Sequence, residues 1–169
     1  MRKALDTLYD AAAYAAAFFM IGVLAMVLAS VTGRLAGFNL RGSDAYAGYC
    51  MAAASFLALA HTLKRGEHIR VMLFLERFGG RLRRPLEIWS HAAGAFFSGL
   101  LALYSVRLVW LSWKLNDISQ GNDATPLWIP QIAMAAGAIV LFVAMLDDLV
   151  RVARGKRIAQ AADELKAIE

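Results

Sequence analysis

Apolar residues fall in four long runs, at about 11–31, 45–63, 86–113 and 127–148, and charged segments separate them. A helix rising 1.5 Å per residue needs about 20 apolar residues to cross roughly 30 Å of hydrocarbon. The pattern therefore predicts an all-α integral membrane protein with four transmembrane helices. Pro85 suits the first turn of the third helix. Pro126 and Pro130 bracket the start of the fourth, where missing backbone donors cost little. The first run follows Arg2 and Lys3 but exceeds the 7–15 residues of a secretory signal core, and Asp6 and Asp10 precede it, so it is expected to stay as a membrane helix.

The segment between the second and third runs is too charged to span, yet it has a helical period. Val71, Phe74, Leu75, Phe78 and Leu82 fall within an arc of about 100° at 100° per residue. Arg70, Arg77, Arg81 and Arg84 form a stripe beside that arc. This predicts an amphipathic interfacial helix over 69–84, lying on the membrane or packed on protein, with guanidinium groups facing lipid phosphates in the first case.

Composition sharpens the picture. Of the 169 residues, 60% are hydrophobic and 18% charged, against about 45–50% apolar in a soluble domain. The four runs leave no room for a soluble domain, so residues 1–169 read as one membrane domain. Cys50 is the only cysteine, which precludes an internal disulfide. The net charge of +5 reflects placement rather than nucleic-acid binding. Fourteen of the 18 basic residues lie in the two termini and the segment between spans two and three. The positive-inside rule puts that side in the cytoplasm, with both termini. Trp110, Trp113 and Trp128 then belong to the outer interface. Arg107, about 33 Å along the helix from Pro85, joins them as an outer interface anchor.

Ionisable groups inside spans are default candidates for function. Asp147 and Asp148 sit near Arg151 at i, i+4 and i, i+3 spacing and read as a solvated helix end, with a proton or cation site as the sharper alternative. His61 and His91 share a depth and could ligate a haem between facing helices, which makes a bis-His electron-transfer anchor the alternative function. The middle of every span lacks Asp, Glu, Lys, Arg and His. No catalytic constellation, metal-ligand cluster or phosphate loop is legible, so the chain is not expected to be an enzyme or to hold a metal. A stand-alone small exporter would need the membrane-embedded acidic residue that the chain lacks. Ala, Gly and Ser in spans one and two favour close helix approach.

The stretch Leu63-Lys64-Arg65-Gly66-Glu67-His68-Ile69-Arg70-Val71 follows a span opened by Asp44. It resembles the small membrane subunit, DctQ-like, of tripartite ATP-independent periplasmic (TRAP) transporters. Thr125-Pro126-Leu127-Trp128-Ile129-Pro130, the chain length and the four spans are similar too. Met72, Gly48 and Ala124 depart from residues common in that family. The resemblance implies a scaffold subunit that stabilises and anchors a large multi-span permease in the bacterial inner membrane. A periplasmic binding protein would deliver an organic acid, a carboxylate or sulfonate, and sodium would bind the permease, leaving this chain without a cofactor. His68 and Arg70, with Arg77, Arg81 and Arg84, are the expected lipid or partner contacts. Asp44, Asp117 and Asp123 are the expected docking residues for the binding protein.

Overall fold

A computed structural model describes residues 2–38, 40–65, 80–121 and 123–154. Within these residues the fold is all-helical: α1 (Arg2–Leu35), α2 (Ser43–Arg65), α3 (Gly80–Lys114) and α4 (Trp128–Ala153). All four are long and apolar enough to cross a membrane. The interfacial helix expected over 69–84 lies mostly outside the described residues, and 80–84 continue directly into α3. Thus α3 starts at Gly80 rather than after Pro85, which sits inside the helix in its second turn. At that position the ring removes one backbone donor near the helix end.

The chain folds as two antiparallel hairpins, α1–α2 and α3–α4, joined through α2 and α4. Helix α4 packs on both α2 and α3, and also touches α1; among the described residues α2 and α3 do not meet. This order follows from side-chain size. Hydrocarbon tails are as apolar as leucine, so helices in lipid associate through close packing, which small residues permit. The buried stripe of α2 is Ala53, Ala54, Leu57 and Ala60, and that of α4 includes Ala135, Ala138, Leu141 and Ala144. Where they cross, a Cβ on Gly137 would lie 2.6 Å from the Phe56 carbonyl oxygen, so backbone meets backbone there. Helix α3 presents Ala95, Ser98, Ala102, Ser105 and Ser112, a near-heptad stripe of small residues, as its buried face. Gly99 lets the Phe142 ring of α4 lie against the α3 backbone.

The outer surfaces of the pair of hairpins are apolar. Only 11% of the most hydrophobic stretch of α1 is buried within the chain. Tyr14, Phe18, Ile21 and Leu24 on α1, and Phe96, Phe97, Leu103 and Tyr104 on α3, are exposed. Water would penalise such a surface, whereas lipid or a membrane partner covers it without cost.

Replacing Gly137 by Val should push α4 off α2 and destabilise the fold by about 1–3 kcal/mol, the usual cost of overpacking. Gly48→Ala, where an added Cβ meets nothing within 4 Å, should be neutral or mildly stabilising. Unfolding midpoints in mixed detergent micelles separate the two.

Candidate functional site

With no charged group at mid-span, the chemistry of the chain lies at the two ends of the bundle. One end carries the α1–α2 and α3–α4 loops, and the other carries the termini.

At the loop end the α3–α4 connection folds back on itself. Leu127 N–H donates to Asp117 O at 3.0 Å and Ser119 N–H to Thr125 O at 2.8 Å. Asp123 sits in this pin and reaches across to the other hairpin. Tyr49 of α2 donates its hydroxyl to Asp123 Oδ2 at 3.0 Å, and Ser119 donates to Oδ1 at 2.8 Å. Tyr46 lies one turn before Tyr49, and its hydroxyl pairs with that of Thr125 at 3.1 Å. Partial burial on its own would raise the Asp123 carboxyl above its ordinary value of 3.8. Hydrogen bonds from Thr125, Ser119 and Tyr49 outweigh that and hold it at about 2.

Gly42 completes the contact. Its φ of +82° belongs to the left-handed region. A Cβ there would lie 2.8 Å from Asp123 Cβ, so the α1–α2 loop seats directly on the α3–α4 loop. Asp123 is therefore a latch between the hairpins. Asp44 stands nearby on the first turn of α2, paired with Arg34 at 3.5 Å with both side chains largely exposed. Such a pair contributes at most about 1 kcal/mol. Asp117 is half-buried, and its backbone braces the loop. Just beneath, Trp110 and Trp113 lie 5.5 Å apart, Trp128 opens α4, and Arg107 is exposed on α3.

At the terminal end Tyr9 of α1 is 1% exposed, packed on Ala60 and Leu63 of α2 and Leu141 and Ala144 of α4. A small cleft joins Tyr9 to Asp147, Asp148 and Arg151. Arg151 and Asp147 pair at 2.6 Å with each side chain about three-quarters buried, and Asp148 is buried. This corrects the solvated helix end expected from the i, i+4 spacing: α1 covers the last turns of α4. Asp10 and His61 add a second α1–α2 approach at 3.8 Å.

His61 and His91 sit on α2 and α3, which both pack on α4 rather than on each other. His91 Nδ1 lies 2.8 Å from the Glu87 carbonyl of its own helix. The arrangement gives the haem reading no support. Among the described residues no three His, Cys, Asp or Glu side chains are grouped to hold a metal. His68, Arg70 and Arg77 lie outside the described residues, while Arg81 and Arg84 fall in the first turns of α3. Sequence reasoning missed Tyr46, Tyr49, Ser119, Thr125 and Gly42 as latch residues. The i, i+3 tyrosine pair at the start of a span was the available signal.

Because Asp123 is held below its unfolded value, its contribution to stability is present above about pH 4 and is lost as pH falls towards 2. Asp123→Asn should remove this acid-side dependence and loosen the loops, seen as faster amide exchange at 117–127. Arg151→Met should destabilise the fold by about 2–4 kcal/mol by leaving the largely buried Asp147 carboxylate uncompensated, and a double variant with Asp147→Asn should recover part of the loss.

Residues 23–155 match the family of the DctQ component of tripartite ATP-independent periplasmic transporters. No curated protein and no solved structure matches the chain. The matched region covers most of the chain and contains both loops, α2, α3, α4 and the last part of α1 from residue 23, so the Tyr9 cluster's α1 residues lie outside it. That family is one of transporter components, the four membrane-length helices agree with it, and the chain belongs to the DctQ family of TRAP transporters.

Proposed function

We propose that this chain is the static scaffold subunit of a sodium-coupled TRAP transporter that imports an organic acid, a carboxylate or sulfonate. It stabilises the large permease subunit and anchors it in the bilayer. The observation that carries this reading is the combination of exposed apolar faces on α1 and α3 with spans whose middles hold no ionisable group. A pathway for an anion and its coupling ions needs polar groups near the bilayer midplane. This chain offers packing surface instead, so substrate and sodium sites fall to the permease.

The paired clasps support the same role. A latch at each end holds the hairpins in one arrangement, which suits a part against which another moves. In the proposed orientation the termini are cytoplasmic, in the bacterial inner membrane, because the basic residues concentrate on that side. The loop end then faces the periplasm. There Asp44 and Asp117 are the docking candidates for the binding protein, while Asp123 works chiefly inside the chain. His68 and the arginines at 70, 77, 81 and 84 hold lipid head groups or the permease. At about 1 kcal/mol per basic residue, the four arginines contribute a few kcal/mol to anchoring.

Replacing Arg70, Arg77, Arg81 and Arg84 together by Gln should reduce both anionic-lipid association and uptake by the assembled transporter. Uptake into vesicles holding the permease, the binding protein and either form of this chain measures the effect. Unchanged lipid association and unchanged uptake would remove the anchoring role, and transport by the chain alone in liposomes would overturn the scaffold reading.

A further inference from the structure

An apolar groove runs along one side of the α3–α4 seam at the loop end of the bundle. Val106, Val109, Trp110 and Trp113 of α3 form one wall, at spacings that keep them on one helix face. The other wall, from Trp128 to Ile139 on α4, has Ala135 and Ala136 as its small residues. We propose that this groove is a binding site for one acyl chain of a phospholipid in the loop-side leaflet, whose phosphate is held by Lys114 and Arg107.

Three observations commit the groove to that occupant. First, its length matches one leaflet. Eleven residues separate Trp128 from Ile139, which at 1.5 Å each is about 16 Å, and half of a roughly 30 Å hydrocarbon core is about 15 Å. Second, the groove starts where a lipid changes from head group to tail. Trp113 and Trp128 stand at the ends of their helices beside the polar loop, as indoles do at a membrane interface. Third, the charge is complementary. Lys114 and Arg107 are exposed and seven residues apart on α3, so they lie on one face, each about one turn from Trp110 in the groove wall. No acidic residue lies on α3 between them. Apolar walls near two cations fit an amphiphile with an anionic head, whereas an uncharged transmembrane helix would leave both cations without a counter-charge.

The proposal rests on the chain lying in a membrane and not on its scaffold role. It also separates two uses of lipid. Arg81 and Arg84 lie in the first turns of α3, at its opposite end, so the groove is a distinct site in the other leaflet.

The test is native mass spectrometry of the full chain released from nanodiscs containing phosphatidylglycerol and phosphatidylcholine in equal amounts. The wild type should retain one phospholipid, enriched in phosphatidylglycerol. Ala136→Phe fills the groove and should lower occupancy at least tenfold, with the unfolding midpoint measured alongside. Lys114→Glu changes an exposed position outside the packing and should keep a bound lipid while losing the preference for phosphatidylglycerol severalfold. Equal retention by Ala136→Phe, or an unchanged head-group preference in Lys114→Glu, would overturn the proposal. So would loss of the lipid from the chain purified with its permease, coupled with a disulfide between Val109→Cys and a permease cysteine. That outcome would assign the groove to a partner helix.

Discussion

The contact between Gly137 and the Phe56 backbone sets the arrangement of everything else. Inside lipid there is no water to drive apolar surfaces together, so helices are held by how closely their backbones fit. Gly137 allows α4 to lie on α2 with no side chain between them. The small stripe of α3 then uses the opposite side of α4, with Gly99 and Phe142 in contact. One helix, α4, thereby joins two hairpins. A larger residue at the crossing would separate α2 from α4, and the loops at one end and the Tyr9 cluster at the other would lose their register together.

Close packing along the bundle does not by itself fix the hairpins against sliding. The ends do that with directional bonds. Asp123 accepts from Tyr49 across the loop end, and Gly42 lets the two loops touch. At the terminal end Tyr9 closes over the Asp147–Arg151 pair. A buried ion pair is weak evidence for stability but a good device for specifying one arrangement, since any displaced register leaves a charge uncompensated in a poor solvent. The two clasps lie at opposite ends of α4, so together they define both the tilt and the axial position of each hairpin.

The four spans were legible because crossing hydrocarbon imposes a length and a composition that no soluble helix shares. The place of Pro126 and Pro130 at the start of α4 was legible for a local reason, that turn chemistry is written in short sequence. Asp123 was not. Its residue type and loop position fit solubility and docking equally well, and its partner on the other hairpin, Tyr49, lies more than 70 residues away in the chain. Asp147 and Asp148 were misread for a related reason. Their spacing to Arg151 describes a helix surface, and only the arrival of Tyr9 from the far end of the chain turns that surface into an interior. The α3 small stripe was visible as spacing but masked by the bulky Phe, Trp and Leu residues interleaved with it, which face outward.

Those outward residues carry the last step. A chain of this size in which α1 and α3 each turn a broad apolar face away from the bundle has two kinds of neighbour available, lipid and another membrane protein. The two faces differ in kind. That of α1, with Phe18, Ile21, Leu24 and Leu28, is long and holds no charge between Asp10 and Arg34, so nothing on it prefers a head group at mid-depth. That of α3 ends in Arg107 and Lys114 beside three indoles, a chemistry that suits the boundary of the bilayer. If α3 meets lipid at its loop end, α1 has the larger uninterrupted surface left for a membrane partner. A scaffold built this way would hold its partner on one edge and the bilayer on the other, with the clasped hairpins between them as the part that stays rigid.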